Sequence, residues 1–204
     1  GRLVRWAMPD YLARAVPKIR SRRSVAIKNH PRRVVVLEGC VQRSTTPEVN
    51  AALARVLDAA DVKVIRAAGE GCCGSLELHL GQEERSHATI RANVDALYVA
   101  AADAEAIIST ASGCGVTVKD YGRLLADDPL YAERARWISE RTFDASEYLQ
   151  RIDAPLKKSD AASTVAWHPP CTLQHGQRAK GVVPGLLLRA GYQLMSVADS
   201  QLGC

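Results

Sequence analysis

Short apolar runs and longer amphipathic stretches alternate along this chain from residue 34 onward. Val34-Val35-Val36-Leu37 is unbroken apolar sequence between Arg33 and Glu38, the pattern of a strand covered on both faces. Thr46-Pro47-Glu48 supplies a cap, a first-turn proline and an early acid, which together start a helix. That helix is predicted to reach about Ala60, with Val49, Leu53, Val56 and Leu57 on one face. Val62 to Ile65 reads as a second strand, and Gly69 to Gly74 as the loop after it. A long helix over about 82–102 follows, with Ile90, Val94, Leu97 and Ala101 as its buried stripe. Ala106-Ile107-Ile108 is a third strand, and Ser109 to Gly115 the turn after it. Strand, helix, strand, helix, strand predicts an α/β fold with a parallel sheet and right-handed crossovers.

Beyond this unit, Val116 to Leu125, Pro129 to Arg141 and Ala145 to Ile152 read as helices. Pro155, Lys157, Lys158 and Ser159 mark a linker. A strand from Thr164 to Trp167, a helix over 180–190 and a strand over 192–197 then restart the pattern. The expected organisation is a leader over 1–30, a first module over 31–152, a linker over 153–163 and a second module over 164–204. Both modules are Rossmann-like with parallel sheets. The second reproduces strand, cysteine, helix, strand, cysteine and stops before its third strand, so the sequence reads as a piece of a longer protein.

The cysteines carry the same repeat. Cys40 is separated by 31 residues from the pair Cys72-Cys73, and Cys171 by 31 residues from Gly203-Cys204; the offset is 131 in both cases. Cys40, Cys72-Cys73 and Cys114 each lie just past a predicted strand. In an open parallel sheet those carboxyl ends share one edge, where ligand crevices form. Four thiols distant in sequence are therefore expected at one site. Four thiolates are the usual set for an iron–sulfur cluster; zinc accepts them too. Neither a C-x2-C knuckle nor a C-x2-C-x2-C-x3-C run occurs. An adjacent pair fits awkwardly on a compact cubane and suits an open or distorted cluster. Buried hydrophobes, or a vicinal disulfide at Cys72-Cys73, are the other readings.

Glycines flank the sulfurs; Gly74 and Gly113 are candidates for tight turns and backbone N–H···S bonds around a cluster. His168 and His175 flank Cys171, either as ligands or proton carriers or as loop histidines held by hydrogen bonds. His79 and His87 read as capping or solvent-facing. Glu38 is read as a solvated acid or a partner contact. Lys119 and Tyr121, one to two turns past Cys114, would lie near the site, with a surface helical role as the default. No nucleophile elbow, phosphate loop or dinucleotide fingerprint is present.

Charge changes the picture at one end only. Residues 1–33 hold ten Lys/Arg against one acid, whereas residues 34–204 hold seventeen against twenty-one. The basic leader reads as a solvated tether or as a contact for an acidic partner or a membrane surface. One Phe in the chain and no basic–aromatic interleaving argue against nucleic-acid binding. No apolar stretch reaches the ~18 residues of a membrane span. Six cysteines without a secretory signal point to the cytoplasm and to metal or redox chemistry.

Glu38-Gly39-Cys40-Val41-Gln42, Gly71-Cys72-Cys73-Gly74, Thr110 to Gly115 with Val118 to Gly122, and His168 to Gln177 closely resemble the iron–sulfur subunits of bacterial glycolate oxidase (glycolate dehydrogenase). The modules resemble the cysteine-rich CCG domains shared with heterodisulfide reductase and lactate-utilisation proteins. The resemblance implies a 4Fe-4S-type cluster, cubane or non-cubane, on Cys40, Cys72, Cys73 and Cys114, with Cys171 and Cys204 as a weaker second set. It implies an electron-transfer subunit, without a complete active site of its own, working with flavin-bearing subunits and passing electrons towards quinone. It also implies a cytoplasmic protein, peripheral at the inner face of the membrane. The alternatives are a docking module with zinc or no metal, and a related lactate-utilisation or heterodisulfide-reductase-type redox subunit. The wider family pattern ends in C-x2-C. Here Ala111 and Gly203 stand at the first positions of those pairs, leaving at most four thiolates in the first site and two in the second.

Overall fold

The computed structural model describes residues 30–158 and 163–198. The leader expected over 1–30, apart from His30, therefore lies outside the described residues, as do Cys204 and the middle of the linker. Four parallel strands form the main sheet: β1 (Arg32–Val36), β2 (Val62–Ile65), β3 (Ala106–Ser109) and β4 (Thr142–Asp144). They stand in the order β2-β1-β3-β4. Val34 pairs with Val64 on one side and with Ala106 on the other. The chain passes from β1 outward to β2, then returns across β1 to reach β3. The direction of winding thus reverses between β1 and β3, the place where such sheets open a crevice at their carboxyl edge.

Alternation along the strands divides the core into two layers. Val35, Leu37 and Ile107 face a cluster that includes Ile90, Val94 and Leu97. Those three come from the helix Glu83–Ala100. Val34, Val36, Ala106 and Ile108 face the opposite cluster, with Leu53, Leu57 and Tyr148. A sheet covered on both faces explains why β1 and β3 read as unbroken apolar sequence. In chain order the helices of this unit are α1 (Cys40–Thr45), α2 (Pro47–Ala59), α3 (Ser75–His79), α4 (Glu83–Ala100), α5 (Ser112–Lys119), α6 (Tyr121–Leu124), α7 (Ala132–Arg141) and α8 (Ala145–Arg151).

The α/β class and the first three strands stand as read from the sequence. Several local expectations do not. Val49, expected on the buried face of α2, is 41% exposed; α2 buries only Leu53 and Leu57. The stretch 109–115, expected as a turn, contains the start of α5, so Cys114 is helical. The short helices α1 and α3 are additions to the expected pattern; six and five residues are too few for an apolar period to register. So is β4, a three-residue edge strand pairing Ile107 with Thr142 and Ser109 with Asp144. Asp144 then caps α8 through a reciprocal capping box with Glu147.

In the second half, β5 (Thr164–Ala166) and β6 (Gln193–Met195) form a separate parallel pair. A π-helix (Thr172–Gly176) and α9 (Val182–Arg189) lie between them. The π-helix, a further addition, packs on α5, and α9 packs on α8. Arg189 ties the halves further, pairing with Asp153 at 2.6 Å and donating to the Ala154 carbonyl at 3.2 Å.

Candidate thiol site

Three loops leave the carboxyl ends of the adjacent strands β2, β1 and β3, and each carries thiols. Cys40 is the first residue of α1 and is exposed. Cys72 and Cys73 precede Gly74, the left-handed cap of α3. Cys114 lies in the first turn of α5. All four are free thiols. They meet in two couples, Cys72 with Cys40 and Cys73 with Cys114, and the Cys114 sulfur also feels the charges of Cys40, Cys72 and Glu70. Cys73 and Cys114 line one narrow crevice with Gly39, Glu70, Gly71 and Tyr121. The carboxyl edge of the sheet thus carries all four thiols, in two couples.

The loops are held by side chains that do not carry sulfur. The Glu70 carboxylate accepts from the backbone N–H groups of Glu38 at 2.8 Å and Gly39 at 3.0 Å, joining the β2 loop to the β1 loop. Asn50 donates to the Leu37 carbonyl at 3.0 Å and accepts from the Thr110 hydroxyl at 2.5 Å, joining the β1 and β3 loops. Beneath the Cys72-Cys73-Gly74 turn, Asn93 donates to the Cys72 carbonyl, Tyr121 to the Cys73 carbonyl at 3.0 Å and Ser86 to the Gly74 carbonyl at 2.9 Å. Asn93 also donates to the Tyr121 hydroxyl at 3.2 Å. Ser86, Asn93 and Tyr121 are all buried, where carbonyls without donors would be costly. Gly74 is required here: its φ is +84°, and a Cβ would stand 3.0 Å from Ile90 Cγ1.

Ionisation follows from crowding. Burial, with the contact to Cys40, pushes the Cys72 thiol up to about 11, although the Gly74 N–H opposes it. The hydrogen bond to Cys114, and then burial, push Cys73 upward, while the Ser75 N–H pulls the other way. The same hydrogen bond holds Cys114 below the usual thiol range. Burial raises the Glu70 carboxyl against the pull of its two N–H donors. Without added positive charge Cys72 and Cys73 favour the thiol form; a bound metal would reverse that preference.

The donor chemistry can be tested against the two groups that use four thiolates. Around one zinc, Zn–S bonds of about 2.3 Å would bring all four sulfurs to a single point. Among the described residues, no three His, Cys, Asp or Glu side chains converge in that way. A cluster gives each thiolate its own iron and so tolerates wider spacing. At Gly71 and Gly113, beside Cys72 and Cys114, nothing lies within 4 Å of where a Cβ would stand, so the space next to two thiols is open. The donor set, four free thiols on three loops with open space beside two of them, suits a cluster.

Of the remaining sequence candidates, Tyr121 does lie at the site, as one of its two readings had it: it lines the crevice and is fully buried under the Cys73 loop, not at the surface. Lys119 pairs with Glu147 of α8. Glu38 pairs with Arg66 at 3.1 Å. His79 ends α3, and the His175 ring meets the Gln174 amide at 2.8 Å. Cys171, expected as a ligand of a weaker second set, caps the π-helix and is disulfide-bonded, so it is not a free thiol like the other four. Glu70, Ser86 and Asn93 are supports that the sequence reading does not find. A signal for two of them exists: Ser86 and Asn93 sit at helical spacing on the same stripe as Ile90, Val94 and Leu97.

Residues 34–119 match the family model described as CCG, cysteine-rich domain. This part of the chain is a cysteine-rich CCG domain. The matched stretch runs from β1 to the end of α5 and contains all four free thiols. The chain is 47% identical over 178 residues to the glycolate oxidase iron–sulfur subunit of Escherichia coli K12, covering 86% of this chain and 43% of that protein. It is 31% identical over 154 residues to a fumarate reductase (CoM/CoB) subunit of Methanothermobacter marburgensis, covering 75% of this chain and 28% of the relative. It is 25% identical over 156 residues to lactate utilization protein A of Bacillus licheniformis, covering 74% of this chain and 61% of the relative. The chain thus spans less than half the length of the glycolate oxidase subunit it is most similar to among these three. No helix among the described residues is long and apolar enough to cross a membrane.

Proposed function

We propose that this chain is an electron-transfer part of a flavin-dependent 2-hydroxyacid dehydrogenase of the glycolate oxidase type, with Cys40, Cys72, Cys73 and Cys114 holding an iron–sulfur cluster. The supporting observation is the meeting of four free thiols on three loops at the switch point of a parallel sheet. A bound cluster supplies one-electron transfer, so hydride removal from the hydroxyacid falls to a flavin on another subunit. The chain's own residues keep the reacting centre in place. Glu70 and Asn50 fix the loops against each other, and Asn93 and Tyr121 fix the carbonyls on either side of the paired thiols. Backbone N–H groups of Gly74 and Ser75 point at the sulfurs of Cys72 and Cys73, a contact that stabilises the more reduced, more negative state. Cys73 is 8% exposed whereas Cys40 is open to solvent, so one edge of the site faces inward and the other reaches the surface, where a partner's redox group can approach. Delivery to quinone at the inner face of the membrane belongs to the same proposal; a second centre does not, because Cys171 is disulfide-bonded.

Anaerobic reconstitution with iron and sulfide tests it. The expected product is brown, carries iron and sulfide in matched amounts, and gives an electron paramagnetic resonance signal on one-electron oxidation or reduction. Cys73→Ser and Cys114→Ser should each lose most of that iron. A colourless protein with a single zinc, or a centre that survives both substitutions together, would overturn the assignment. With the flavin subunit present, glycolate should reduce the centre; reduction by lactate alone would move the substrate assignment.

A further inference from the structure

The ten-residue motif from His168 to Gln177 is the most distinctive run of the second half, and the first thiol site uses none of its side chains as ligands. Its π-helix is seated on α5, the helix that carries Cys114. Thr172 Oγ1 donates to Ser112 Oγ at 2.7 Å, and Gln177 Nε2 donates to the Ser112 carbonyl at 3.0 Å. The two surfaces are cut to each other at glycines. A Cβ at Gly115 would stand 2.8 Å from Gln177 Nε2, and a Cβ at Gly176 would stand 2.5 Å from Val116 Cγ2. Leu173 and Gln177 are buried in the contact, at 5% and 8% exposure.

The need for such a contact lies in α5 itself. Cys114 sits between Gly113 and Gly115 in the first turns of an eight-residue helix. Each glycine weakens a helix interior by about 1 kcal/mol relative to alanine, so the turn holding the thiol is intrinsically loose. Gln177 also keeps its amide oxygen buried without a partner, a cost that an apolar side chain would avoid. What this side chain uniquely supplies is its hydrogen bond to the first turn of α5.

We propose that the segment Thr172–Gln177 is a positioning element for the first thiol site, a latch from the second half that holds the Gly-Cys-Gly turn so that Cys114 stays against Cys73. The latch rests on the reading above only in that the held thiol is taken as a cluster ligand. It also gives the second half a route to the first centre, because any movement of the π-helix moves the helix carrying Cys114.

The test has one arm that needs no metal. In the reduced metal-free chain, with rates expressed per thiolate so that loss of the Cys73 contact does not act through ionisation, Gln177→Ala should expose Cys114 to alkylation about fivefold faster, the factor carried by one net hydrogen bond. Cys72, read in the same peptide map, should be unchanged. Thr172→Val, a milder change, should act in the same direction with a smaller factor. Gly115→Ala should also accelerate Cys114. The double variant Gly115→Ala/Gln177→Ala should be less reactive than the product of the single effects, since removing the amide removes the clash. In the metal-loaded chain, Gln177→Ala should shift the midpoint potential and the resonance line shape while the iron content is kept. Unchanged Cys114 reactivity in both Gln177→Ala and Thr172→Val, or multiplicative behaviour of the double variant, would overturn the latch. If the chain binds no iron, the alkylation arm still decides the latch, and the cluster assignment fails separately.

Discussion

Tyr121→Phe is the sharpest probe of how the paired-thiol turn is held. The ring is fully buried, and burial pushes its hydroxyl well above the usual phenol range, so it remains a donor at any working pH. The substitution removes one oxygen and no carbon. It takes the donor from the Cys73 carbonyl and one of two acceptors from the Asn93 amide. Asn93 keeps the Cys72 carbonyl, so its loss is partial. The Cys73 carbonyl bears the main cost, about 1–3 kcal/mol for a buried group without its partner. A central value of about 2 kcal/mol corresponds to a fall in melting temperature of about 4–8 °C for a chain of this size. The measurement is urea unfolding of the reduced, metal-free protein, where the midpoint should fall with the slope unchanged. Asn93→Leu with Tyr121→Phe should show a coupling of about 0.5–3 kcal/mol, because the two side chains share one network. A Tyr121→Phe protein within about 0.5 kcal/mol of the parent, the range of an inconsequential surface change, would refute the claim that this hydroxyl holds the turn.

Gly74→Ala should cost about 1–3 kcal/mol in the same unfolding assay, since the residue combines a left-handed φ with a Cβ position 3.0 Å from Ile90 and 3.3 Å from the Ser86 carbonyl. Gly113→Ala, with open space around its Cβ position, should instead stabilise α5 by up to about 1 kcal/mol. Leu57→Ala, at a fully buried site of the second core layer, should cost about 2–5 kcal/mol by calorimetry and leave the thiol reactivities alone. Acid unfolding should report on Glu105. Burial pushes its carboxyl upward, but the hydrogen bonds from Arg32 and Tyr148 outweigh that and hold it below the usual range. A carboxyl depressed in the folded state contributes stability that is present above its unfolded value and lost as pH falls through the folded one. Glu105→Gln should therefore flatten the acid limb of a stability–pH curve and change little near neutrality beyond a constant offset.

The strands are legible because a sheet covered on both faces writes unbroken apolar runs, and Val34 to Leu37 and Ala106 to Ile108 are such runs. Their carboxyl ends put the cysteines on one edge by topology alone, since parallel strands joined by crossovers all point the same way. What escapes a reading of the sequence is shorter than a period or polar within an apolar context. Thr142-Phe143-Asp144 is three residues of strand between two helices, and only its pairing with β3 reveals it. Tyr121 reads as near the site but with a surface role by default, since Asp120 and Arg123 around it are polar, yet α6 is one turn long and buries its first side chain. Ser86 and Asn93 are written on the apolar stripe of α4. A polar residue on a buried stripe must find a partner, and here the partners are the carbonyls of the paired-thiol turn. The contact of the second half with α5 is invisible in sequence because it depends on two glycines fitting two side chains far away along the chain.

These supports change what the sulfurs are required to do. Adjacent strands stand about 4.8 Å apart, which brings three loops to one edge but leaves each free to swing. Here the β1 and β2 loops are bridged by Glu70, the β1 and β3 loops by Asn50, the paired-thiol turn is fixed from below by Ser86, Asn93 and Tyr121, and α5 is held from outside by Gln177. Each bond adds only about 1 kcal/mol net, yet together they cross-link every loop to a neighbour without using a thiol. The rim is consequently ordered by the protein rather than by whatever the thiols bind. Loops ordered in advance make metal capture cheaper in conformational entropy than in a domain that folds around its metal. They also confine the distances over which the centre can relax when it changes charge, which favours rapid electron exchange over structural change.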